Sequence, residues 1–316
     1  METGRNKKPL RIVFMGTPEF AVFSLKCLME AGYEIAAVVT APDKPAGRGM
    51  ELQESAVKKF AASNGLRILQ PVKLKDHLFI ESLRDLNADL FVVVAFRMLP
   101  EAVWNMPPLG TINVHASLLP QYRGAAPINW AVINGETMTG VTTFKLKHQI
   151  DTGNILLSSP VPIKKEDNAG SVHDKLMKEG GLLLVETLKQ LQSGSLKETS
   201  QDTIDENQLH HAPKIHAETC RIDWDQPAEH IYNLIRGLSP YPAAFTSFDG
   251  KKMKIFSSSV IKGASETAPG MVITDNKTFL RFAAKDGMVD IHELQWEGRK
   301  RMNTADFLRG YRPGQG

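Results

Sequence analysis

Thr111-Ile112-Asn113-Val114-His115-Ala116-Ser117-Leu118-Leu119-Pro120-Gln121-Tyr122-Arg123-Gly124-Ala125-Ala126-Pro127 opens as the end of a strand and closes as the start of a helix. Ile112 and Val114 alternate with Asn113 and His115, and a period of two sets the amide and the imidazole on one face. Pro120 and Gly124 mark a loop. Pro127 suits a first helical turn, where its missing N–H costs no hydrogen bond. A strand end that leads through a loop into a helix is where open parallel sheets bind ligands. Asn113 and His115 together call for a carboxylate, and Gln149-Ile150-Asp151-Thr152-Gly153 supplies one in a turn.

The flanking sequence builds a sheet around that strand. Leu10–Gly16 reads as a buried first strand, with Thr17 as N-cap and Pro18 at the first position of a helix that Gly32 ends. Glu34–Thr40 is a second strand, which completes a β-α-β opening. Met15-Gly16-Thr17-Pro18 stands where a dinucleotide-binding chain has Gly-x-Gly-x-x-Gly, which argues against a nicotinamide enzyme. Helices are expected over Ser55–Asn64 and Lys73–Leu86, with a short strand over Leu66–Leu69 between them. Leu90–Ala95 is apolar throughout, as in a central strand buried on both faces. Phe96-Arg97-Met98-Leu99-Pro100 leaves its ligand-side end. Gly140–Lys147 and Ile155–Ile163 make a hairpin-like excursion at the sheet edge, and a long helix covers Ser171–Gln192. The expected fold class is α/β: a Rossmann-like open, mostly parallel sheet.

Ser193–Asn207 is polar, rich in Ser, Gln, Asp, Glu and Thr, and reads as a linker. Beyond it, short strands recur with turn signals over 243–248, 252–261, 270–274, 278–282 and 288–294, the pattern of a small antiparallel β-barrel of the OB-like kind. The expected division is a catalytic domain over 1–195, a linker over 196–212 and a C-terminal domain over 213–316.

Composition narrows the class. The 316 residues are 42% hydrophobic and 23% charged with a net charge of +3, ordinary for a globular protein and only mildly basic. That permits a nucleic-acid partner without demanding one. Met1–Pro9 lacks the apolar run of a secretory signal, and Leu90–Phe96 is too short to span a bilayer, so no membrane association is expected. Cys27 and Cys220 lie far apart and outside any metal-ligand spacing, which suits a reducing cytoplasm. No metal is expected: His210-His211 lie in the polar linker, and His115 has no metal-type neighbour in sequence.

Asn113, His115 and Asp151 suit transfer of an acyl-level one-carbon group to an amine. The tetrahedral adduct carries a negative oxygen that needs preorganised donors, such as a carboxamide or an imidazolium. A carboxylate beside the ring keeps it protonated and oriented, and the pair can carry the amine's proton to the departing nitrogen. The plainer alternative makes Asn113 a loop cap and His115 a hydrogen-bonded core histidine. Ala41–Gly49, with two prolines, two glycines and two cations, is longer than a compact unit needs. It reads either as a functional insertion or as a variable surface loop.

Asn-x-His, Ser-Leu-Leu-Pro-x-Tyr-Arg-Gly and Asp-Thr-Gly together resemble the folate-dependent formyltransferases. The resemblance implies Asn113, His115 and Asp151 as the catalytic set and 10-formyltetrahydrofolate as donor co-substrate. It places folate against Ser117, Leu118, Leu119 and Pro120, with Phe96, Met98, Leu99 and Ile150 about the pteridine. Phe14–Ala21, Pro42–Gly49, Ala212–Ile215, Ile222–Trp224, Ile235–Pro242 and Arg299–Met302 are similar to the branch that acts on initiator methionyl-tRNA. That branch implies tRNA contacts from Lys44 and Arg48 in the inserted loop and from Arg299, Lys300 and Arg301, and a monomer is expected. An exposed, solvated face is the alternative for such charge runs. Two departures stand out. Met50-Glu51 follows Gly49 where lysine is common, and the strand exit at 95–100 is one residue short of the usual Ala-Tyr-Gly form. An amino-sugar nucleotide or glycinamide ribonucleotide acceptor, or a non-catalytic RNA-binding module, are the rival readings.

Overall fold

The computed structural model describes residues 10–46, 51–201, 206–263 and 267–311. They form two compact units interleaved along the chain. One is drawn from Met1–Arg123, Gly140–Val161 and Asp174–His210, the other from Gly124–Thr139, Pro162–His173 and His211–Gly316.

The first unit is built on a seven-stranded sheet. In chain order its elements are β1 (Arg11–Gly16), α1 (Glu19–Glu30), β2 (Glu34–Val39), α2 (Ala56–Ser63), β3 (Ile68–Leu69), α3 (His77–Arg84), β4 (Leu90–Val94), α4 (Glu101–Trp104) and β5 (Thr111–His115). After α5 (Pro127–Ile133) come β6 (Met138–Lys145), β7 (Ile155–Pro162) and α6 (Ala169–Ser193). The strand order is β7-β6-β5-β4-β1-β2-β3. β3, β2, β1, β4 and β5 run parallel, and β6 returns antiparallel to β5. This is the expected open, mostly parallel sheet, with the order reversing between β1 and β4.

The apolar runs explain the centre of this sheet. Ile12 to Met15 and Leu90 to Val94 are buried on both faces, as parallel strands covered by helices must be. β5 carries a weaker apolar pattern and lies beside them, with Asn113 next to Val93 and opposite Phe144, and His115 opposite Thr142. Helix α6 closes on β5 through Gly180 and on α1 through Gly181. A Cβ on Gly180 would lie 3.1 Å from Val114, and one on Gly181 would lie 2.7 Å from Phe23.

Two helix starts differ from expectation. Pro18, extended at ψ 176°, takes the N-cap position of α1 without a side-chain cap, so Thr17 does not serve there. α3 starts after Asp76, whose carboxylate accepts from the Phe79 N–H at 3.2 Å; Lys73 to Lys75 therefore stay outside it.

In the second unit α7 (Ala228–Gly237) packs on an antiparallel sheet of β8 (Ala244–Phe248), β9 (Lys251–Lys262), β10 (Val272–Thr274), β11 (Leu280–Ala284) and β12 (Gly287–Trp296). The order is β8-β9-β12-β11-β10, with β13 (Met302–Asn303) on β12 and α8 (Thr304–Arg309) after it. The strands follow the expected spacing and form a half-barrel around Ile255, Phe282, Ile291 and Phe307. Trp224 stacks on Phe282 with centroids 4.4 Å apart. The units do not divide at residues 196–212 alone. Helix α5 lies against α7, with Asn129 Nδ2 donating to the Gly237 carbonyl at 2.8 Å, and Arg236 donates to the Asp167 carbonyl at 3.0 Å. Among the described residues, no helix is long and apolar enough to cross a membrane.

Phe14 is wholly buried in β1. Phe14→Ala is expected to lower unfolding stability by about 3–5 kcal/mol through lost burial and a residual cavity, read from urea midpoints.

Candidate active site

β5 ends at His115, and the chain turns through Ser117–Tyr122 before running on to Arg123. This turn is held from within and from β6. Ser117 Oγ donates to the Gln121 carbonyl at 2.6 Å. Thr142 Oγ1 donates to the Ser117 carbonyl at 2.7 Å and accepts from the Leu119 N–H at 3.1 Å. Leu118 fills the space that a Cβ on Gly140 would occupy, its Cδ2 only 2.4 Å from that position. Ser117 and Leu119 are buried, while Leu118 and Pro120 are half-buried.

The turn brings the Tyr122 carbonyl back to His115, whose Nε2 donates to it at 2.9 Å. That bond fixes the ring. The proton of a neutral imidazole then sits on Nε2, and Nδ1 is left facing the Asp151 carboxylate at 3.8 Å. His115 is only 7% exposed, and Phe144 meets its ring edge-on with centroids 6.4 Å apart. The distance to Asp151 is an ion-pair distance, longer than a direct hydrogen bond. A proton taken up at Nδ1 would face the carboxylate.

Asp151 follows β6 in a tight turn with a left-handed backbone, φ 55°. Asp is among the few side chains that tolerate this region. Gly153 is required by close approach: a Cβ there would fall 1.6 Å from the Lys145 carbonyl oxygen. Asn113 shares a strand face with His115 and is half-buried. Its amide makes no hydrogen bond to another described residue, so its donor is free for a bound oxygen. The structure thus brings His115 and Asp151, 36 positions apart by number, to one point and sets Asn113 two residues away on the same strand.

The expected pteridine residues divide. Phe96 is half-buried and packs with Leu99 in the core around Phe91 and Val93. Met98 is 73% exposed and Ile150 59% exposed. The strand exit is anchored by Arg97, whose guanidinium donates to the carbonyls of Pro71 and Val72 and lies over the Phe96 ring. Partial desolvation of the guanidinium pulls its pKa down from the usual value.

Lys44 is exposed on a ribbon in which Lys44–Ala46 pairs with Glu51–Gln53. Arg48 lies outside the described residues. The ribbon's base is clamped: Asp43 accepts from Lys58 and from Gln70 Nε2 at 2.8 Å. These bonds, Lys58 first, hold the Asp43 carboxyl below its usual range. In the second unit Arg299 and Lys300 are exposed. Arg301 is engaged, its Nε donating to Glu293 at 2.5 Å while the guanidinium covers Phe256.

Gln201 was not legible as a site residue. It lies in the stretch read as linker, yet it is 3% exposed. Its Nε2 donates to the carbonyls of Asp151 at 3.1 Å and Gly153 at 2.6 Å.

A parallel sheet whose strand end carries an imidazole facing a carboxylate beside a free carboxamide suits an enzyme of acyl-group transfer. Comparison with known proteins gives the class its family. The formyl transferase profile matches residues 10–188, and the formyl transferase C-terminal domain profile matches 214–312. The chain belongs to the formyl transferase family. It is 59% identical over 314 residues to the methionyl-tRNA formyltransferase of Phocaeicola vulgatus, covering 97% of each chain. It is 54% identical over 311 residues to that of Bacteroides fragilis, covering 96% of each. Among solved structures, the N-formyltransferase of Helicobacter canadensis, in complex with folinic acid and dTDP-3-aminofucose, superposes with a TM-score of 0.67 at 19% identity. That match covers 93% of this chain and all of that one. HypX of Aquifex aeolicus in complex with tetrahydrofolic acid gives 0.63 at 20% identity, over 95% of this chain and 47% of that one. At such identities the structures share the fold.

Asn113→Ala is expected to lower kcat about 10²–10³-fold, the cost of one oxyanion donor. The unfolding free energy should stay within about 0.5 kcal/mol of the parent, because the amide has no hydrogen-bond partner among the described residues to lose. Steady-state formyl transfer and a denaturant titration check the two halves.

Proposed function

We propose that this enzyme transfers the formyl group of 10-formyltetrahydrofolate to the amino group of methionine on initiator methionyl-tRNA. Relatives bearing that activity in their names align from end to end, through both units. The observation that carries the chemistry is the His115–Asp151 pair, with Nδ1 of the ring facing the carboxylate at 3.8 Å.

The substrate amine attacks the formyl carbon, forming a new C–N bond and a tetrahedral adduct with a negative oxygen. The Asn113 amide donates to that oxygen. The adduct collapses when the bond from carbon to the folate nitrogen breaks. Between these events the amine must lose a proton and the departing nitrogen must gain one. His115 Nδ1 takes that proton where the Asp151 carboxylate faces it, and returns it as the C–N bond breaks. Because Nε2 is committed to the Tyr122 carbonyl, His115 works through one nitrogen, and the oxyanion falls to Asn113. No side-chain nucleophile is required. The loop from Ser117 to Pro120, the strand exit at Phe96 to Leu99 and Ile150 are assigned to the folate donor; exposed Met98 and Ile150 are the apolar surfaces free to cover a flat ring.

Lys44, Arg48, Arg299 and Lys300 are assigned to the tRNA backbone. Arg301 contributes less, since its guanidinium is already paired with Glu293. Replacing Arg299 and Lys300 together by Ala should raise KM for tRNA and flatten its salt dependence, by about one in log–log slope per lost phosphate contact. Arg301→Ala should leave that slope nearly unchanged.

The decisive assay supplies folate donor with initiator and with elongator methionyl-tRNA side by side. Formyl-methionyl-tRNA is expected from the initiator species by a wide margin. Formylation of an amino-sugar nucleotide in preference to both would overturn the acceptor assignment while leaving the chemistry in place.

A further inference from the structure

We infer that Gln201 is a positioning residue that sets the separation between His115 and Asp151, an inference that rests on reading those two as the proton-handling pair. Its carboxamide is buried, and both of its ends are used. Nε2 donates to the Asp151 carbonyl at 3.1 Å and to the Gly153 carbonyl at 2.6 Å. Oε1 accepts from Arg123 Nε at 3.2 Å and from its terminal nitrogen at 2.9 Å. Arg123 directly follows Tyr122, whose carbonyl orients His115. One amide therefore joins the segment that holds the imidazole to the turn that holds the carboxylate.

The Asp151 turn needs such a brace. Its backbone is left-handed at Asp151, a region this side chain tolerates but in which the turn gains from being held. The segment around Gln201 is itself fastened to the same hairpin. Thr199 and Ile155 exchange both backbone hydrogen bonds at 2.8 Å, and Glu198 pairs with Lys145 at 2.6 Å and accepts from Asn154 at 2.9 Å. Further along the chain, the His210 carbonyl accepts from the Tyr122 N–H at 2.6 Å. Among the described residues between Glu198 and His210, Gln201 is the one buried polar side chain that reaches both halves of the pair. Buried amides with every position satisfied rigidify what they join.

Gln201→Glu tests this directly. The carboxylate still accepts from Arg123 but can no longer donate to the two carbonyls. Gln201→Met, similar in volume and unable to make either bond, is the second variant and decides the matter if the first does not fold. Expected is a fall in kcat of about 10–100-fold, since misplacements near 1 Å cost on that order. KM for 10-formyltetrahydrofolate and for methionyl-tRNA should stay within about twofold of the parent, and the pH–rate profile of kcat should be displaced from the parent's. His115→Ala and Asp151→Ala are run alongside. If those two abolish turnover while the folded Gln201 variant keeps the parent kcat, shifts only KM or reproduces the parent pH profile, this inference alone is overturned. If His115→Ala and Asp151→Ala retain turnover, the reading of the pair fails and the role of Gln201 fails with it.

Discussion

The hydrogen bond from His115 Nε2 to the Tyr122 carbonyl is the constraint on which the site depends. It uses a backbone group seven residues along the chain, so the turn through Ser117–Tyr122 must close for the ring to be oriented at all. Closing it requires Thr142 on the neighbouring strand to bridge Ser117 and Leu119, which in turn fixes β5 against β6. Once Nε2 is committed, only Nδ1 can face Asp151. The tautomer and the ring nitrogen that faces the carboxylate follow from one loop conformation.

The same economy shapes the opposite wall. β6 runs into a hairpin so tight that only glycine fits at 153, and the preceding turn sets Asp151 in a left-handed conformation. Asp-Thr-Gly is therefore a statement about backbone geometry as much as about a carboxylate. The polar segment after α6 then lies along this hairpin, and its Gln201 donates to the Asp151 and Gly153 carbonyls of the tight turn. A segment rich in Ser, Gln and Glu reads as linker because it cannot form a core. Here its polarity serves a different end, hydrogen bonding to a strand edge.

The interleaving of the two units has a similar origin. Helix α5 is a short apolar helix, and α7 offers it a complementary face, with Ile133 packing among the residues of the second core. The Pro162–His173 segment lies with the same unit because Arg236, buried on α7, donates to its carbonyls. Sequence order gives no hint of this, since the partners are about a hundred residues apart for Asn129 and Gly237 and about seventy for Arg236 and Asp167.

Local pattern by itself determined the main strands of both sheets and their order, and it singled out Asn113, His115 and Asp151 as candidates. Periodicity reports which face is apolar, and short motifs report which backbone positions tolerate only glycine or proline. It also determined that Asn113 and His115 share a face, because that follows from strand geometry alone. What only the tertiary structure decided is which polar groups meet across long separations. Gln201 bonds to backbone carbonyls, and a carbonyl belongs to every residue, so no side-chain pattern could announce the pairing. Arg301 is drawn to Glu293 and Phe256 for the same kind of reason: its neighbours come from β12 and β9, and a run of cations in sequence says nothing about which of them already has a partner.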